Sequence, residues 1–212
     1  MERHLPSLKA ILFVLCLAPL ARLGWGFQHD ALGANPIEFI TRSLGTWTLS
    51  FILITLSVTP LRKLAGWPWL IRMRRMFGLY AFFYGVLHLS SYLWLDQFFD
   101  WGEIGRDILK RPFITAGMTA FLLMVPLALT STNGMIRRLG GKRWQSLHRL
   151  VYFTAMLGVL HYAWLVKKDL TQPVLYGAIL LLLLGYRAAV WLRQQQRELS
   201  VPKRRIIPIA SR

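Results

Sequence analysis

The chain has 212 residues, of which 55% are hydrophobic and only 17% are charged, against roughly 25% in a typical soluble domain. Its formal net charge is +17, from 26 Lys and Arg against 9 Asp and Glu. So few charges cannot cover a globular surface. The positive residues form dispersed clusters between long apolar runs, unlike the continuous basic patch that tracks a nucleic acid. Composition therefore predicts an integral membrane protein, with the lipid bilayer as its solvent, that binds no nucleic acid.

The single cysteine, Cys16, lies inside an apolar run. One thiol cannot form a disulfide within the chain, and it cannot supply the ligands of a cysteine-bound iron–sulfur cluster. The expected role of Cys16 is that of a small buried hydrophobic residue.

Six segments are apolar over the roughly 17–25 residues that a helix needs to cross a bilayer. They lie at about 8–27, 44–60, 76–95, 113–130, 147–166 and 174–192. The second is expected to stop at Thr59-Pro60, because proline disfavours helix in the preceding residue. The first has an alternative interpretation as a signal peptide, although no clean cleavage site follows it. The sequence thus predicts an all-α integral membrane protein, with residues 1–212 forming a single domain built as a bundle of six transmembrane helices.

The segments between these helices alternate in charge. Lys and Arg dominate residues 61–75, residues 131–146 and the tail after residue 192. Seven of the nine acids lie in the alternate segments: Asp30, Glu38, Asp96, Asp100, Glu103, Asp107 and Asp169. Since Lys and Arg in short loops resist translocation, both termini are predicted to be cytoplasmic, and the third and fifth helices to run outward.

Three of the five histidines, His88, His148 and His161, lie within predicted spans. An ionisable side chain inside a bilayer costs free energy unless it is partnered, which favours a functional role. For each histidine alone, a hydrogen bond to a neighbouring helix is the alternative. No Asp or Glu lies in the cores of helices two to six, which disfavours a proton relay or a carboxylate-rich metal site. Because neutral imidazole is a good axial ligand for haem iron, the three histidines predict a haem protein.

The depths of the histidines suggest how they pair. At about 1.5 Å per residue, His88 lies about 20 Å beyond Arg75, and His161 about 20 Å beyond His148. His88 and His161 are therefore expected at similar depth toward the outer side, as a bis-imidazole pair. His148 lies toward the inner side and has no histidine partner, because the matching position on the third helix, 74 or 75, is arginine.

The inner side leaves two questions open. Thirteen residues place His148 and His161 roughly 140° apart on an ideal helix, so they share a face only if the helix bends or bulges, for example near Gly158. The arginines at this boundary are explained first as topology determinants. Binding of haem propionates or of a flavin phosphate is the alternative role, for which Arg149 and Arg75 are the candidates.

Histidines thirteen residues apart on the fifth helix, with another on the third, belong to a longer sequence pattern. Its segments are Leu32-Gly33-Ala34-Asn35-Pro36, Thr59-Pro60-Leu61, Arg74-Arg75, Gly78-Leu79, Leu87-His88-Leu89, Arg111-Pro112, Thr130-Ser131-Thr132, Gly141-Lys142-Arg143-Trp144-Gln145-Ser146-Leu147-His148 and His161-Tyr162. In this pattern the chain, over about residues 30–190, resembles the ferric-reductase-like transmembrane domain, and more closely the haem-binding membrane subunits of periplasmic methionine sulfoxide reductase systems, the YedZ family.

The resemblance implies haem b bound through His88, His148 and His161, and an FMN for which the sequence offers no motif. It implies a chain in the bacterial inner membrane that takes electrons from the quinone pool. These electrons would pass to a periplasmic molybdenum-containing reductase subunit that repairs oxidised methionines in proteins. The chain would then be an electron-transfer subunit, with methionine sulfoxide reduction itself occurring on the partner.

Two other functions stay open. A ferric reductase or oxidase would need a flavin and nicotinamide domain, but only residues 193–212 follow the sixth predicted helix and no G-x-G-x-x-G occurs. That function would require a separate chain. A haem-free transporter would be expected to show repeats, broken helices or intramembrane acids, and the sequence shows none.

Overall fold

The computed structural model describes residues 5–166 and 169–197, together with the helical backbone that continues to residue 200. All regular structure in these residues is helical, in agreement with the predicted all-α class. The basic tail, with Lys203, Arg204, Arg205 and Arg212, lies outside the described residues, as do Met1, Glu2, Arg3 and His4 at the other terminus.

Ten α-helices follow one another in the described part of the chain. They are α1 (Leu5–Leu15), α2 (Ala18–Gln28), α3 (Pro36–Ala65), α4 (Arg74–Ser91), α5 (Trp101–Lys110), α6 (Pro112–Leu129), α7 (Asn133–Leu139), α8 (Gly141–His148), α9 (Leu150–Leu165) and α10 (Thr171–Ser200). A short 3₁₀ helix at Pro68–Arg72 precedes α4, and a π-helical turn at Tyr92–Asp96 extends it.

Among the residues that the structure describes, five helical segments are long and apolar enough to cross a membrane. They are Leu5–Gln28, Pro36–Ala65, Arg74–Asp96, Pro112–Leu129 and Thr171–Arg197. The predicted count of six spans is therefore not confirmed. The difference lies in the predicted span 147–166, where α9 has only 16 residues. Such a helix is about 24 Å long, against about 30 Å for the hydrocarbon core of a bilayer.

The first predicted span is interrupted between α1 and α2, just before Pro19. Proline has no N–H, so a carbonyl in the preceding turn loses its helical donor. Two tyrosine hydroxyls of α4 donate to backbone carbonyls beside this break. Tyr80 reaches the carbonyl of Phe13 at 2.7 Å, and Tyr84 reaches that of Cys16 at 2.8 Å. Side chains of α4 thus supply hydrogen bonds to the backbone at the break. Helix α4 runs parallel to α1.

Helix α3 continues through Pro60 to Ala65, so the predicted stop at Thr59-Pro60 is wrong. Proline at position 60 removes the N–H that would bond the carbonyl of Leu56. The guanidinium of Arg187, on α10, donates to this carbonyl instead. A side chain of another helix therefore supplies the donor that the proline lacks, and α3 continues beyond Pro60. The sequence of α3 alone could not predict this contact.

Two antiparallel helix pairs form the centre of the bundle, since α3 packs most extensively against α4, and α6 against α9. Helix α10 closes the bundle against α9 and α3, where the hydroxyls of Ser50 and Tyr176 lie 2.8 Å apart. Its other side is apolar and open, with Leu181 and Leu182 exposed by 73% and 74%. Apolar side chains facing outward from an apolar helix are expected where the solvent is lipid.

The helix directions bring the acidic residues of the loops to one end of the bundle and most of the basic loop residues to the other end. We call the end formed by residues 29–38, 92–111 and 169–170 the acidic end, and the end formed by residues 61–75 and 131–149 the basic end. Helices α3 and α6 begin at the acidic end, whereas α4 and α9 begin at the basic end.

We expect the substitution Arg187→Met to lower the free energy of unfolding by about 1–3 kcal/mol, because it leaves the buried Leu56 carbonyl without a donor. Adding Pro60→Ala restores an N–H for that carbonyl and should recover part of the loss. Thermal unfolding of the four proteins in detergent measures both effects. If Arg187→Met lowers the stability by the same amount in the wild type and in Pro60→Ala, this hydrogen bond contributes nothing to stability.

Candidate functional site

Two of the three intramembrane histidines meet inside the bundle. His88 extends from α4 and His161 from α9, and their ring centroids lie 6.1 Å apart with the ring planes at 73°. Both rings line one cavity between the two antiparallel helix pairs. The two helix pairs thus each contribute one imidazole to a shared space.

Each ring is oriented by a hydrogen bond from Nδ1 to a backbone carbonyl. The acceptor for His88 is the carbonyl of Thr41 at 2.9 Å, and for His161 it is the carbonyl of Phe113 at 2.6 Å. A carbonyl only accepts, so each Nδ1 carries the hydrogen and each Nε2 keeps its lone pair. Within the described residues, no hydrogen bond engages either Nε2. Both rings therefore have the tautomer of a metal-bound histidine.

A glycine makes room for each ring. A Cβ at Gly45 would lie 3.0 Å from the His88 ring, and a Cβ at Gly117 would lie 2.7 Å from Nδ1 of His161. Gly45 follows the acceptor Thr41 by four residues, and Gly117 follows Phe113 by four. In an α-helix the carbonyl of residue i accepts a hydrogen bond from the amide of residue i+4 through one of its two lone pairs. Because the glycine at i+4 has no side chain, the imidazole can approach the second lone pair of the same carbonyl. The same arrangement occurs on both sides of the site.

The spacing of the two rings suits a single metal ion between them. Imidazoles that bind one ion from opposite sides, at metal–nitrogen distances of about 2.0 Å, have ring centroids about 6 Å apart. In the part of the chain that the structure describes, no three His, Cys, Asp or Glu side chains gather around one point. Two axial protein ligands therefore fit a metal whose remaining ligands come from a macrocycle, as in haem.

The cavity around the pair has a volume of about 620 Å³, within the range of about 300–1,000 Å³ for cofactor pockets. Its deep part is lined by apolar residues, namely Leu49, Ile52, Phe121 and Met124. Polar groups line its mouth at the acidic end, namely Asn35, Glu38, Arg42, Asp96 and Arg111. An amphiphilic ligand with an apolar body and charged groups at one edge matches this division.

His148 lies apart from this pair, at the basic end. The structure places it at the end of the short helix α8, not within a spanning helix as the sequence predicted. Its Nε2 lies 3.1 Å from the hydroxyl of Thr130, and its ring stacks on Trp144 at 3.9 Å. It is not among the residues that line the cavity of His88 and His161.

The break in the fifth helix falls at Arg149, between α8 and α9, and not near Gly158, because α9 is continuous through that residue. Arg149 is exposed beside the break. Arg75, the other candidate for binding an anionic group, donates to Asn133 at 2.7 Å. Both arginines therefore lie at the basic end with His148, away from the histidine pair.

Sequence reasoning missed several residues that shape the cavity. Gly45 and Gly117 could have been noted as glycines within spanning helices, but their role depends on which helix each one faces. Arg42 has no role in the sequence-based predictions, and Arg111 enters them only through the segment Arg111-Pro112 of the resemblance. The depth of a residue can be estimated from sequence, whereas its neighbours on other helices cannot.

Residues 43–159 match the family described as "Ferric reductase like transmembrane component". The chain is 60% identical to a protein of Azospira oryzae over 192 residues, which is 90% of this chain and 82% of that protein. It is 56% identical to a protein of Herminiimonas arsenicoxydans, covering 87% of this chain and 85% of that protein. A protein of Rhodospirillum rubrum is 58% identical, covering 89% and 90%. All three are named "Protein-methionine-sulfoxide reductase heme-binding subunit MsrQ".

The chain belongs to the MsrQ family of ferric-reductase-like membrane proteins. The segment that matches the ferric reductase description contains α4, α6 and most of α3, and hence His88, Gly45 and Gly117. His161 and Thr41 lie just outside this segment, so the matched part of this MsrQ family member holds one of the two paired histidines.

We expect Gly117→Ala to disturb the low-spin haem spectrum predicted for the histidine pair, because the new Cβ would displace the His161 ring from the Phe113 carbonyl. Gly78→Ala is the matched control, since a Cβ there meets Thr55 at an ordinary 3.7 Å. Visible spectra of both purified variants, at equal haem supply, make the comparison. An unchanged spectrum in Gly117→Ala would contradict the close fit.

Proposed function

We propose that this MsrQ family member is a haem-containing electron-transfer subunit of a membrane oxidoreductase. The observation that carries the proposal is the pair of imidazoles, His88 and His161, with both Nδ1 atoms bonded and both Nε2 atoms free across a cavity of suitable size. The names of the relatives, each a heme-binding subunit of a protein-methionine-sulfoxide reductase, support it. Haem b is the proposed cofactor, and it supplies reversible one-electron chemistry when bound.

The protein's own contribution is positioning and exclusion of water. The carbonyls of Thr41 and Phe113 fix the direction and the basicity of the two imidazoles. The apolar lining of the deep cavity keeps water from the ligand, which tunes its redox potential through burial. None of these residues needs to move for an electron to pass, as suits an electron-transfer site.

We propose that α9 also spans the bilayer, with α8 or the flanking residues completing its length, which gives the six-helix bundle. It packs between α6 and α10, both of which are long enough to cross by themselves. With the basic end on the cytoplasmic side, as Lys and Arg in short loops require, both termini are cytoplasmic in the bacterial inner membrane. The histidine pair then lies toward the periplasmic side, because its cavity opens at the acidic end.

The depth of the pair suits delivery of electrons to a periplasmic partner. By the family resemblance, we propose that electrons enter from the membrane quinone pool and leave to a molybdenum-containing methionine sulfoxide reductase subunit. Reduction of methionine sulfoxide in damaged proteins then takes place on that partner. This chain carries no proposed catalytic residue.

The basic end is the proposed place for electron entry. His148 and Arg75 lie near one another there with Arg149, and they are the proposed ligands for a second haem or for FMN. The bonds of His148 to Thr130 and of Arg75 to Asn133 would then have to exchange for bonds to the cofactor.

We expect His88→Ala and His161→Ala each to abolish the low-spin haem spectrum of the pair, because each removes one of two axial ligands. His29→Ala serves as the control, since His29 is exposed, bonds the carbonyl of Trp25 and does not line the cavity of the pair. Visible spectra of purified, reduced and oxidised protein give the measurement. A full low-spin spectrum in either cavity variant would rule out the pair as axial ligands.

For the direction of electron flow, we expect a quinol added to protein reconstituted in vesicles to reduce the haem, as seen by its α band. The wild type should then be reoxidised by the periplasmic reductase with methionine sulfoxide, but not by the sulfoxide alone. If only a flavin reductase with a nicotinamide cofactor reduces the haem, the quinone part of the proposal fails. The alternative of a module working with a separate flavin chain would then be favoured.

A further inference from the structure

One polar group in the cavity wall has no partner. Among the described residues, the only buried side-chain nitrogen or oxygen without a hydrogen bond is the hydroxyl of Thr41. A buried hydroxyl without a hydrogen-bond partner lowers stability, so such groups call for a ligand or another explanation. Thr41 lines the cavity of the histidine pair, near its mouth at the acidic end.

The orphaned hydroxyl is unusual for this protein. Six other helical hydroxyls donate to the carbonyl four residues earlier, namely those of Thr46, Thr48, Ser50, Thr55, Thr119 and Thr154. This local bond is the usual way for such a hydroxyl to be satisfied in an apolar helix. Thr41 makes no such bond, and because its hydroxyl oxygen is fully buried, it reaches an acceptor in the cavity only when the side chain rotates.

Two arginines line the same mouth. Arg42 follows Thr41 directly, and its Nη2 contacts Glu38 at 2.6 Å. Arg111 precedes Phe113 by two residues, and its Nε contacts Asp107 at 3.0 Å. Each pair leaves most of the five N–H donors of its guanidinium free. Both guanidinium groups can therefore bind a further carboxylate.

The positions of these arginines follow from the histidine site itself. The carbonyls of Thr41 and Phe113 orient the two imidazoles, so Arg42 and Arg111 stand one and two residues from the groups that fix the ligand. They approach from the two opposite helix pairs. Both arginine side chains are about half exposed, at 54% and 56%, as expected at the water-facing edge of a cavity.

We propose that Arg42, Arg111 and the hydroxyl of Thr41 form the site for the two propionate carboxylates of the haem. The inference rests on the proposed function, and it sets the rotation of the porphyrin about the axis between His88 and His161. The apolar edge of the ring faces the deep cavity, and the carboxylates face the mouth. This assignment differs from Arg75 and Arg149, which lie at the basic end.

The ion pairs of Arg42 with Glu38 and of Arg111 with Asp107 do not prevent this binding. A solvent-exposed salt bridge contributes little to stability, so the guanidinium of Arg42 can reorient at small cost. Asp107 is different, because its side chain is only 9% exposed and also accepts bonds from Tyr92 and Gln97. It therefore holds Nε of Arg111 in place and leaves the other two nitrogens available to a carboxylate.

The test uses haem and haem dimethyl ester, in which both carboxylates are blocked. Purified full-length protein, prepared without haem, is reconstituted with either compound, and the rate of loss to an excess of a haem-scavenging globin is followed. With haem, Arg42→Gln and Arg111→Gln should each lose the ligand about tenfold faster than the wild type. Thr41→Val should have a smaller effect in the same direction. With the dimethyl ester, all of these proteins should release the ligand at one rate.

Arg106→Gln is the matched control, because Arg106 pairs with Glu103 at 2.6 Å on α5 but does not line the cavity. A low-spin spectrum in each reconstituted variant shows that the histidine pair is intact. Arg42→Lys and Arg111→Lys, which keep the charge, provide a second series if a glutamine variant does not fold.

The outcomes separate the two proposals. If the arginine variants release haem and its dimethyl ester faster than the wild type by the same factor, the arginines act only on the fold, and the propionate site is refuted. If they match the wild type with haem, the site is also refuted, while a normal low-spin spectrum leaves the haem function standing. If the wild type takes up no haem, both proposals fail together.

Discussion

The organisation of this protein depends on one constraint, that polar groups inside a lipid-facing bundle must find partners within the protein. The hydrogen bonds from the two imidazoles to the carbonyls of Thr41 and Phe113 satisfy it at the centre of the site. They are possible only because a glycine stands one turn further along each accepting helix. A histidine, a carbonyl and a glycine thus form a unit that occurs twice, once in each antiparallel helix pair.

The same constraint accounts for features outside the site. Where Pro60 removes a donor from α3, Arg187 supplies one to the carbonyl of Leu56. Where the first span breaks before Pro19, the hydroxyls of Tyr80 and Tyr84 reach carbonyls of α1 and of the break. In each case an irregular helix is stabilised by a polar side chain of another helix. At Pro60 and Pro19, polar side chains of neighbouring helices therefore supply donors beside the proline.

Sequence could predict the helical class, the apolar segments and the depth of each histidine, because these follow from composition and from a rise of about 1.5 Å per residue. The depth estimate placed His88 and His161 at one level, and the structure places their rings 6.1 Å apart. The continuation of α3 past Pro60, the break at Arg149 and the shortness of α9 could not be predicted in this way. Each depends on contacts between helices, and the unpartnered hydroxyl of Thr41 becomes visible only when all neighbours are known.

The division of the site between two helix pairs has a consequence for assembly. The contacts that join α4 to α6 and α3 to α9 are fewer than those within each pair. A metal bound by His88 from one pair and by His161 from the other would add a direct link across this weaker junction. Because a ligand that binds only the native state stabilises it, occupation of the site and tight docking of the two pairs favour each other. The carboxylates held by Arg42 and Arg111 would strengthen this link, since those arginines also belong to opposite pairs or their flanks.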